Sequence, residues 1–386
     1  MKMFKRLFLV TAVLSGCAAR DPVSAQLDPH SGIPESVART AAISAPAPVE
    51  PADARLRDAI ETYRTIAEQG GWAPVPAGQS LKVGSEGPRV VALRARLSAS
   101  GDLVASSDQP GQFGLELEAA VRAFQARHGL EQDGVVGPKT LKALNVPVAS
   151  RIASMELNLA RMSAQNWRRS GRYVAVNVAA ASYSLVENGA DVMAGPAVVG
   201  RPDWQTPYID SLIDRLEFHP YWTVPSRIAA REVWPKIHHD PAYLRRSHMR
   251  VVDGHIRQDP GPDNPLGKVK FLFPNPYSVY LHDTNHPELF ARADRFRSHG
   301  CVRISNALDL ARTLLRDDPD WPPSRIDEAL AAGRNVRVRL IQPIPVHLTY
   351  ETAWVDPDGT VEFREDLYNR DQAGANAKPR QDLYGD

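Results

Sequence analysis

The sequence predicts an α+β multidomain protein of 386 residues, helical in its first half and mainly β in its second. Three observations carry this. Apolar residues recur at helical spacing between residues 53 and 166, they alternate from Arg172 onward, and between Thr206 and about Gly267 they do neither. At roughly 150 residues per domain the length suits two or three domains. The formal net charge is +1, from 46 Lys and Arg against 45 Asp and Glu. That balance gives no electrostatic footprint for nucleic acid, or for an anionic membrane surface, as the main partner. A hydrophobic content of 43% is enough for a sizeable core.

Lys2, Lys5 and Arg6 precede an apolar run from Leu7 to Leu14, too short to span a bilayer as a stable helix. The run ends in Leu14-Ser15-Gly16-Cys17, which resembles the lipobox of bacterial lipoproteins. The resemblance implies cleavage before Cys17 and lipidation of its thiol and new amine. An ordinary secretory signal would equally lead to export. Ala18 stands where an aspartate would suggest inner-membrane retention in many Gram-negative bacteria, so the expected address is the periplasmic face of the outer membrane. Residues 18–52 are rich in Ala, Pro and Ser and are expected to form a flexible tether.

From Asp53 the pattern changes. Leu56, Ile60, Tyr63 and Ala67 predict a helix capped by Asp53 and ended by Gly70-Gly71, within a helical scaffold over residues 53–80. Pro88 opens a run through Val91, Leu93 and Leu97, and Leu117, Val121 and Phe124 form a second helical face. Pro138 suits the first turn of a third helix, with Thr140, Leu141 and Leu144 following. A further helix is predicted from Ser150 to about Asn166, with Ile152, Met155, Leu159 and Met162 on one face. The stretch "AVRAFQARHGLEQDGVVGPKTLKAL" resembles the three-helix peptidoglycan-binding domain, placed over residues 81–147. The resemblance implies a cell-wall partner; a helical spacer that has lost binding is the plainer alternative.

Strands are expected at Tyr173–Val178 and Tyr183–Glu187, with Asn188-Gly189 as a turn, then at Val336–Leu340. A hairpin follows, Thr352–Val355 and Val361–Phe363 around Asp356-Pro357-Asp358-Gly359. The non-alternating piece holds Trp222, Pro225, Trp234, His238 and His239. It predicts a partly helical capping insertion over about 208–266, its tryptophans as core anchors and its histidines on the surface. Residues 148–371 thus make a scaffold helix and a catalytic domain, and 372–386 a disordered tail.

The chain has two cysteines. With Cys17 assigned to the anchor, Cys301 is a lone thiol in Ser298-His299-Gly300-Cys301-Val302-Arg303. An ordinary thiol, with a pKa near 8.5, is only a few per cent thiolate at neutral pH and needs a base. His282 is the candidate, at the end of a strand expected from Tyr277 to Leu281 and separated from Ser298 by the fifteen residues 283 to 297. Asp283 invites comparison with Cys-His-Asp triads, but adjacent side chains on a strand point to opposite faces, so its carboxylate is not expected to serve. A zinc site from His282, His286, His299 and Cys301 would need His282 and His286 on one helix face. Pro287 and the strand before His282 argue against it, and no metal is expected.

The order His282, Ser298, His299, Gly300, Cys301 resembles the motif of the L,D-transpeptidase (YkuD-type) family, a histidine followed after about fourteen to seventeen residues by Ser/Thr-His-Gly-Cys. "NPLGKVKFLFPN" and "YLHDT" further resemble the large periplasmic members that carry a peptidoglycan-binding domain and a capping insertion. The likeness covers most of residues 53–371. It implies that Cys301 attacks the carbonyl of the third stem residue, and that His282, oriented by a backbone carbonyl, takes the thiol proton. N–H groups around His299, Gly300 and Cys301 would form an oxyanion hole. Ser298 and His299 would hold the loop, Arg303 would hold a substrate carboxylate or brace the loop, and Tyr280 would contact substrate. The implied partners are peptidoglycan stem peptides of the diaminopimelate type and, through the lipid, a membrane; no cofactor is implied. A diaminopimelate amine as acceptor gives 3→3 cross-links, water gives L,D-carboxypeptidase activity, and a protein amine gives attachment of a lipoprotein to the wall. Without the motif, the module and lipobox would describe a non-catalytic wall-binding lipoprotein.

Overall fold

The computed structural model describes residues 51–104, 108–169 and 171–372. The expected signal, Cys17, the tether up to residue 50 and residues 373–386 lie outside them. The first helix, α1 (Ala52–Glu68), buries Leu56, Ala59, Ile60 and Tyr63 at the spacing read from sequence. Asp53 is not its cap. Pro51 holds that position, and Asp53 sits in the first turn, where its carboxylate complements the positive helix end and lies 3.3 Å from Arg57. α1 packs on α5 (Val148–Ser163) and on the hairpin Ala353–Val355/Val361–Phe363, around Met155, Met162, Val355 and Phe363.

Between these helices lies the small module, with helices α2 (Pro88–Ala99), α3 (Leu115–Arg127) and α4 (Pro138–Leu144). Prolines open α2 and α4 because the first turn needs no N–H donor there. Val90, not Val91, is the buried valine of α2; Val91 is exposed. The paired Gln and Asp-Gly of the motif have a physical reason. Buried Gln125 donates through Nε2 to Asp133 Oδ1 (2.7 Å) and the Val135 carbonyl (3.0 Å), and its Oε1 accepts from the Gly134 N–H (2.9 Å). One side chain thereby ties the 131–137 loop to α3.

The catalytic region is a nine-stranded sheet. Its strands in chain order are β1 (Arg172–Asn177), β2 (Ser182–Glu187), β3 (Ala190–Gly200), β4 (Ile209–Phe218), β5 (Val269–Leu272), β6 (Leu281–His282), β7 (Phe296–Ser298), β8 (Val302–Ile304) and β9 (Val336–Thr349). They lie in the order β7-β3-β8-β6-β5-β4-β9-β1-β2, and β2 also pairs with β3, so the sheet returns on itself. Asn188 and Gly189 both take positive φ in the β2–β3 turn, as the sequence predicted. The core lies against one face of the sheet, joined by Leu310, Leu314 and Ile326 from α6 (Ala307–Leu315) and α7 (Pro323–Ala331).

The insertion is smaller than expected. Ile209–Phe218 belongs to the central sheet, paired with β9 on one side and β5 on the other. What leaves the sheet is the stretch from His219 to Lys268. It carries a three-stranded sheet (Trp222–Thr223, His255–Gln258, Met249–Val252), short helices, and a core of Val224, Ile228, Ala229, Val233 and Ile256. Trp222 and Trp234 pack against that core, and His238 and His239 are exposed, as predicted. Trp204, from the catalytic region's β3–β4 loop, is part of the same cluster.

Candidate active site

Strand register assembles the site. Val302 and Arg303 are the Cα partners of Leu281 and His282 in a parallel pair. Leu281 and Val302 point into the core, so His282 and Arg303 take the opposite face. Cys301 and Tyr280, one residue before these partners, stand opposite each other at the mouth of the same pair, and the Val302 N–H donates to the Tyr280 carbonyl at 3.1 Å. The strand before His282 is shorter than expected: regular pairing covers only Leu281–His282, and Asn275 holds the preceding turn by accepting from the Tyr277 and Val279 N–H groups.

His282 is buried, and its Nδ1 lies 2.5 Å from the Asp283 backbone carbonyl. A carbonyl only accepts, so Nδ1 carries the proton and Nε2 keeps its lone pair. Burial first, and the Arg303 cation second, lower the imidazole pKa to about 3, so the ring rests neutral. The Asp283 carboxylate is turned away and accepts from the Lys268 N–H at 2.7 Å. Gly267 makes room for it: a Cβ there would stand 2.4 Å from Asp283 Oδ2, and its φ of +62° already favours glycine.

Half-buried Cys301 is pushed up in pKa by burial. The Tyr280 backbone N–H, Lys270 and Arg303 act in the opposite direction. The resting pair is therefore a neutral thiol beside a neutral imidazole. Tyr280 stands 5.6 Å from the His282 ring, centroid to centroid, and burial together with the neighbouring thiol keeps its phenol protonated.

The loop is fixed from both sides. The Ser298 hydroxyl donates to the Cys301 carbonyl (2.5 Å) and accepts from the Gly300 N–H (3.1 Å). That removes Gly300 from the expected oxyanion donors, because its N–H is already satisfied. The Cys301 N–H has no acceptor among the described residues. Gly300 has φ +108°, a conformation an L side chain rarely adopts. Its carbonyl accepts from the Thr206 hydroxyl at 2.8 Å, and Thr206 in turn accepts from the Gly200 N–H at 2.9 Å. Tyr368 donates to the Gly200 carbonyl at 2.5 Å.

His299 points outward to the insertion. Its Nε2 lies 2.6 Å from Glu232 Oε1, and its ring meets Trp204 edge-on at 4.8 Å. His286 lies beside Glu288, so the four residues considered for zinc do not converge. No cluster of three or more His, Cys, Asp or Glu residues able to hold a metal exists among the described residues. Arg303 is half-buried and makes no hydrogen bond or ion pair among the described residues; its Nε is buried without a partner. Sequence reasoning missed Thr206, Tyr368, Glu232, Gly267 and Lys270. Only Gly267 carried a local signal; the others act from a strand, a short helix or loops that the sequence does not place beside the site. A cleft of about 1170 Å³ between α1, the hairpin and the β1–β3 strands is lined by Arg55, Asp191 and Glu351, and neither Cys301 nor His282 lines it.

A cysteine and a backbone-locked neutral histidine share one face of a curled sheet, in a chain that also carries a small helical module. Residues 171–330 match the YkuD L,D-transpeptidase catalytic domain and residues 86–144 a peptidoglycan binding domain. Residues 171–330 thus form a YkuD L,D-transpeptidase catalytic domain, preceded by a peptidoglycan-binding domain. A protein of Haemophilus influenzae described as an L,D-transpeptidase is 28% identical over 218 residues, 51% of this chain and 44% of that relative, so the match spans less than half the relative's length. An N-acetylmuramoyl-L-alanine amidase of Bacillus licheniformis is 38% identical over 74 residues, 19% of this chain and 21% of that protein. Among solved structures, an L,D-transpeptidase of Xylanimonas cellulosilytica aligns over 71% of this chain and 98% of its own at 21% identity and a TM-score of 0.24. One from Stackebrandtia nassauensis covers 72% and 96% at 15% identity and a TM-score of 0.27.

Proposed function

We propose that this protein forms 3→3 cross-links between peptidoglycan stem peptides through a thioester on Cys301. The observation that carries this reading is the neutral His282, locked through Nδ1 on the Asp283 carbonyl and sharing a sheet face with Cys301. His282 Nε2 takes the thiol proton as sulfur attacks the carbonyl of the third stem residue. The C–S bond forms, the C–N bond to the terminal D-alanine breaks, and the proton on His282 passes to the leaving amine. The Cys301 N–H, without an acceptor among the described residues, stabilises the oxyanion. The side-chain amine of a diaminopimelate residue on a second stem then attacks the thioester and returns a proton, through His282, to the thiol. Arg303, without a carboxylate of its own, receives a carboxylate of the acyl portion.

The peptidoglycan-binding module supports wall as the substrate, and the Leu14-Ser15-Gly16-Cys17 stretch supports a lipid anchor at Cys17 on the periplasmic face of the outer membrane. Substituting Cys17→Ala is expected to move the protein from the membrane to the soluble fraction. Muropeptide analysis of cells with the wild-type gene, with Cys301→Ser, and without the gene tests the reaction. The expected result is 3→3 dimers in the first only, because a serine hydroxyl is far harder to ionise beside the same histidine. Tripeptides rising without dimers would mean that water is the acceptor. Loss of wall-bound protein alone would point to protein attachment.

A further inference from the structure

Arg337, Glu217, Lys270, His282 and Arg303 are successive Cα partners on β9, β4, β5, β6 and β8. All five therefore leave the same face of the sheet. Their chain neighbours Val338, Leu216, Phe271, Leu281 and Val302 form a parallel apolar row on the core face. At one end of the charged row Arg337 Nε lies 3.1 Å from Glu217 Oε1. Lys270 is outside that pair. Its ammonium rests over the Tyr280 ring, 4.1 Å from the centroid, half-buried and with no carboxylate within ion-pair distance among the described residues. It also lies close enough to Cys301 to favour the thiolate. Its neighbour in the row, Glu217, also acts on it electrostatically but is already paired with Arg337, so this half-buried cation on an aromatic face beside the thiol can take a further anion.

We propose that Lys270 binds the terminal carboxylate of the leaving amino acid, and so restricts the donor to peptides with a single residue beyond the scissile carbonyl. This rests on the transpeptidase reading above. The order of strands sets the direction. Cys301 enters β8, His282 stands on the next strand, β6, and Lys270 on the one after, β5. The acyl carbon lies at Cys301, and the amine it releases lies at His282, which protonates it. One residue of chain spans about 3.5 Å, and the next strand is about 4.8 Å away. The carboxylate of the leaving residue therefore arrives at Lys270. A donor longer by one residue would carry its carboxylate on toward Glu217, the next side chain in the row, where like charges repel.

The test uses the full chain and two donors, a stem tetrapeptide with a free terminal carboxylate and the same peptide as its terminal carboxamide. The rate of acyl-enzyme formation on Cys301 is followed by intact mass. Lys270→Gln is expected to slow acylation by the free acid about 10- to 100-fold more than acylation by the carboxamide. Lys270→Arg is expected to restore most of the preference for the acid. Equal slowing of both donors in Lys270→Gln, or an acid preference that survives it, overturns the proposal. If neither peptide acylates the wild type, the transpeptidase reading itself falls. The lysine is then still read by alkylation of Cys301, where a preference for iodoacetate over iodoacetamide should vanish in Lys270→Gln.

Discussion

Two buried histidines in this molecule share nearly every local property and differ in what they can do. His128, at the end of α3, has Nδ1 2.7 Å from the Phe124 carbonyl; His282 has Nδ1 2.5 Å from the Asp283 carbonyl. Burial is the first cause that lowers the pKa of each. The rest of the His128 ring is sandwiched, 3.8 Å from Phe124 and 5.6 Å from Phe363. It is a flat apolar wedge between the binding module and the C-terminal hairpin. His282 instead sits in a strand pair whose mouth holds Cys301. A depressed pKa and a backbone-held ring therefore do not mark a catalyst. The partner offered to the second nitrogen does.

The widest separation between the two regions is expected from alanine at each. His282→Ala should slow acylation of Cys301 about 10²- to 10⁴-fold while leaving the protein folded. His128→Ala should destabilise the fold by about 2–4 kcal/mol through the cavity it leaves, with acylation per folded molecule near wild type. Acylation rates and urea midpoints on both variants check this; a large rate defect in folded His128→Ala would break the contrast. A smaller effect probes what orients His282. Gly267→Ala puts a Cβ 2.4 Å from Asp283 Oδ2 and 2.6 Å from the Thr284 nitrogen, so the segment that supplies the orienting carbonyl must shift. Acylation should fall about 10- to 100-fold. Asp283→Asn keeps an oxygen for the Lys268 N–H and should leave the rate near wild type. A severe defect in Asp283→Asn, with folding intact, would mean that the carboxylate does orient the ring.

The smallest effect treats the two histidines as alike. Both stay neutral in the fold, whereas in the unfolded chain each takes a proton near pH 6.5. The unfolded state then binds more protons, so stability falls as pH drops below 6.5, by up to about 1.4 kcal/mol per pH unit for each histidine, and for His282 the loss continues to about pH 3. Above pH 7 neither contributes. Urea midpoints between pH 7 and 5 should show this slope, and His128→Phe, which keeps a flat ring in the sandwich, should flatten it. An unchanged slope in that variant would remove His128 from the account.

Much of this was legible in the sequence where the signal was local. The Cys301 and His282 positions, the helical faces of the module and the Asn188-Gly189 turn each depend on neighbours a few residues away. The start of the insertion was misread because Ile209, Ile213, Leu216 and Phe218 do not alternate. Their strand pairs with β9 through a register shift between Arg339 and Ile344, and a shift of that kind breaks the period that marks a strand. Lys270 looked like an ordinary polar position between apolar ones, and Arg303 was singled out only through the family resemblance. Only the pairing of β5, β6 and β8, which are separated by loops in the sequence, lines them up with His282.

The packing of α1 has a consequence for how the chain comes into being. The Arg55 guanidinium donates to the Val355 carbonyl, 300 residues downstream, and the apolar stripe of α1 shares its core with Ala353, Val355 and Phe363. During synthesis the first helix therefore waits for nearly the last segment, and a contact spanning that distance is among the slowest to form. The small module, whose own core is contiguous between Val75 and Leu144, can settle long before. The nascent chain thus carries one finished bead on an otherwise open thread. Whatever handles the chain at that stage meets a first helix whose apolar stripe still lacks its hairpin partners.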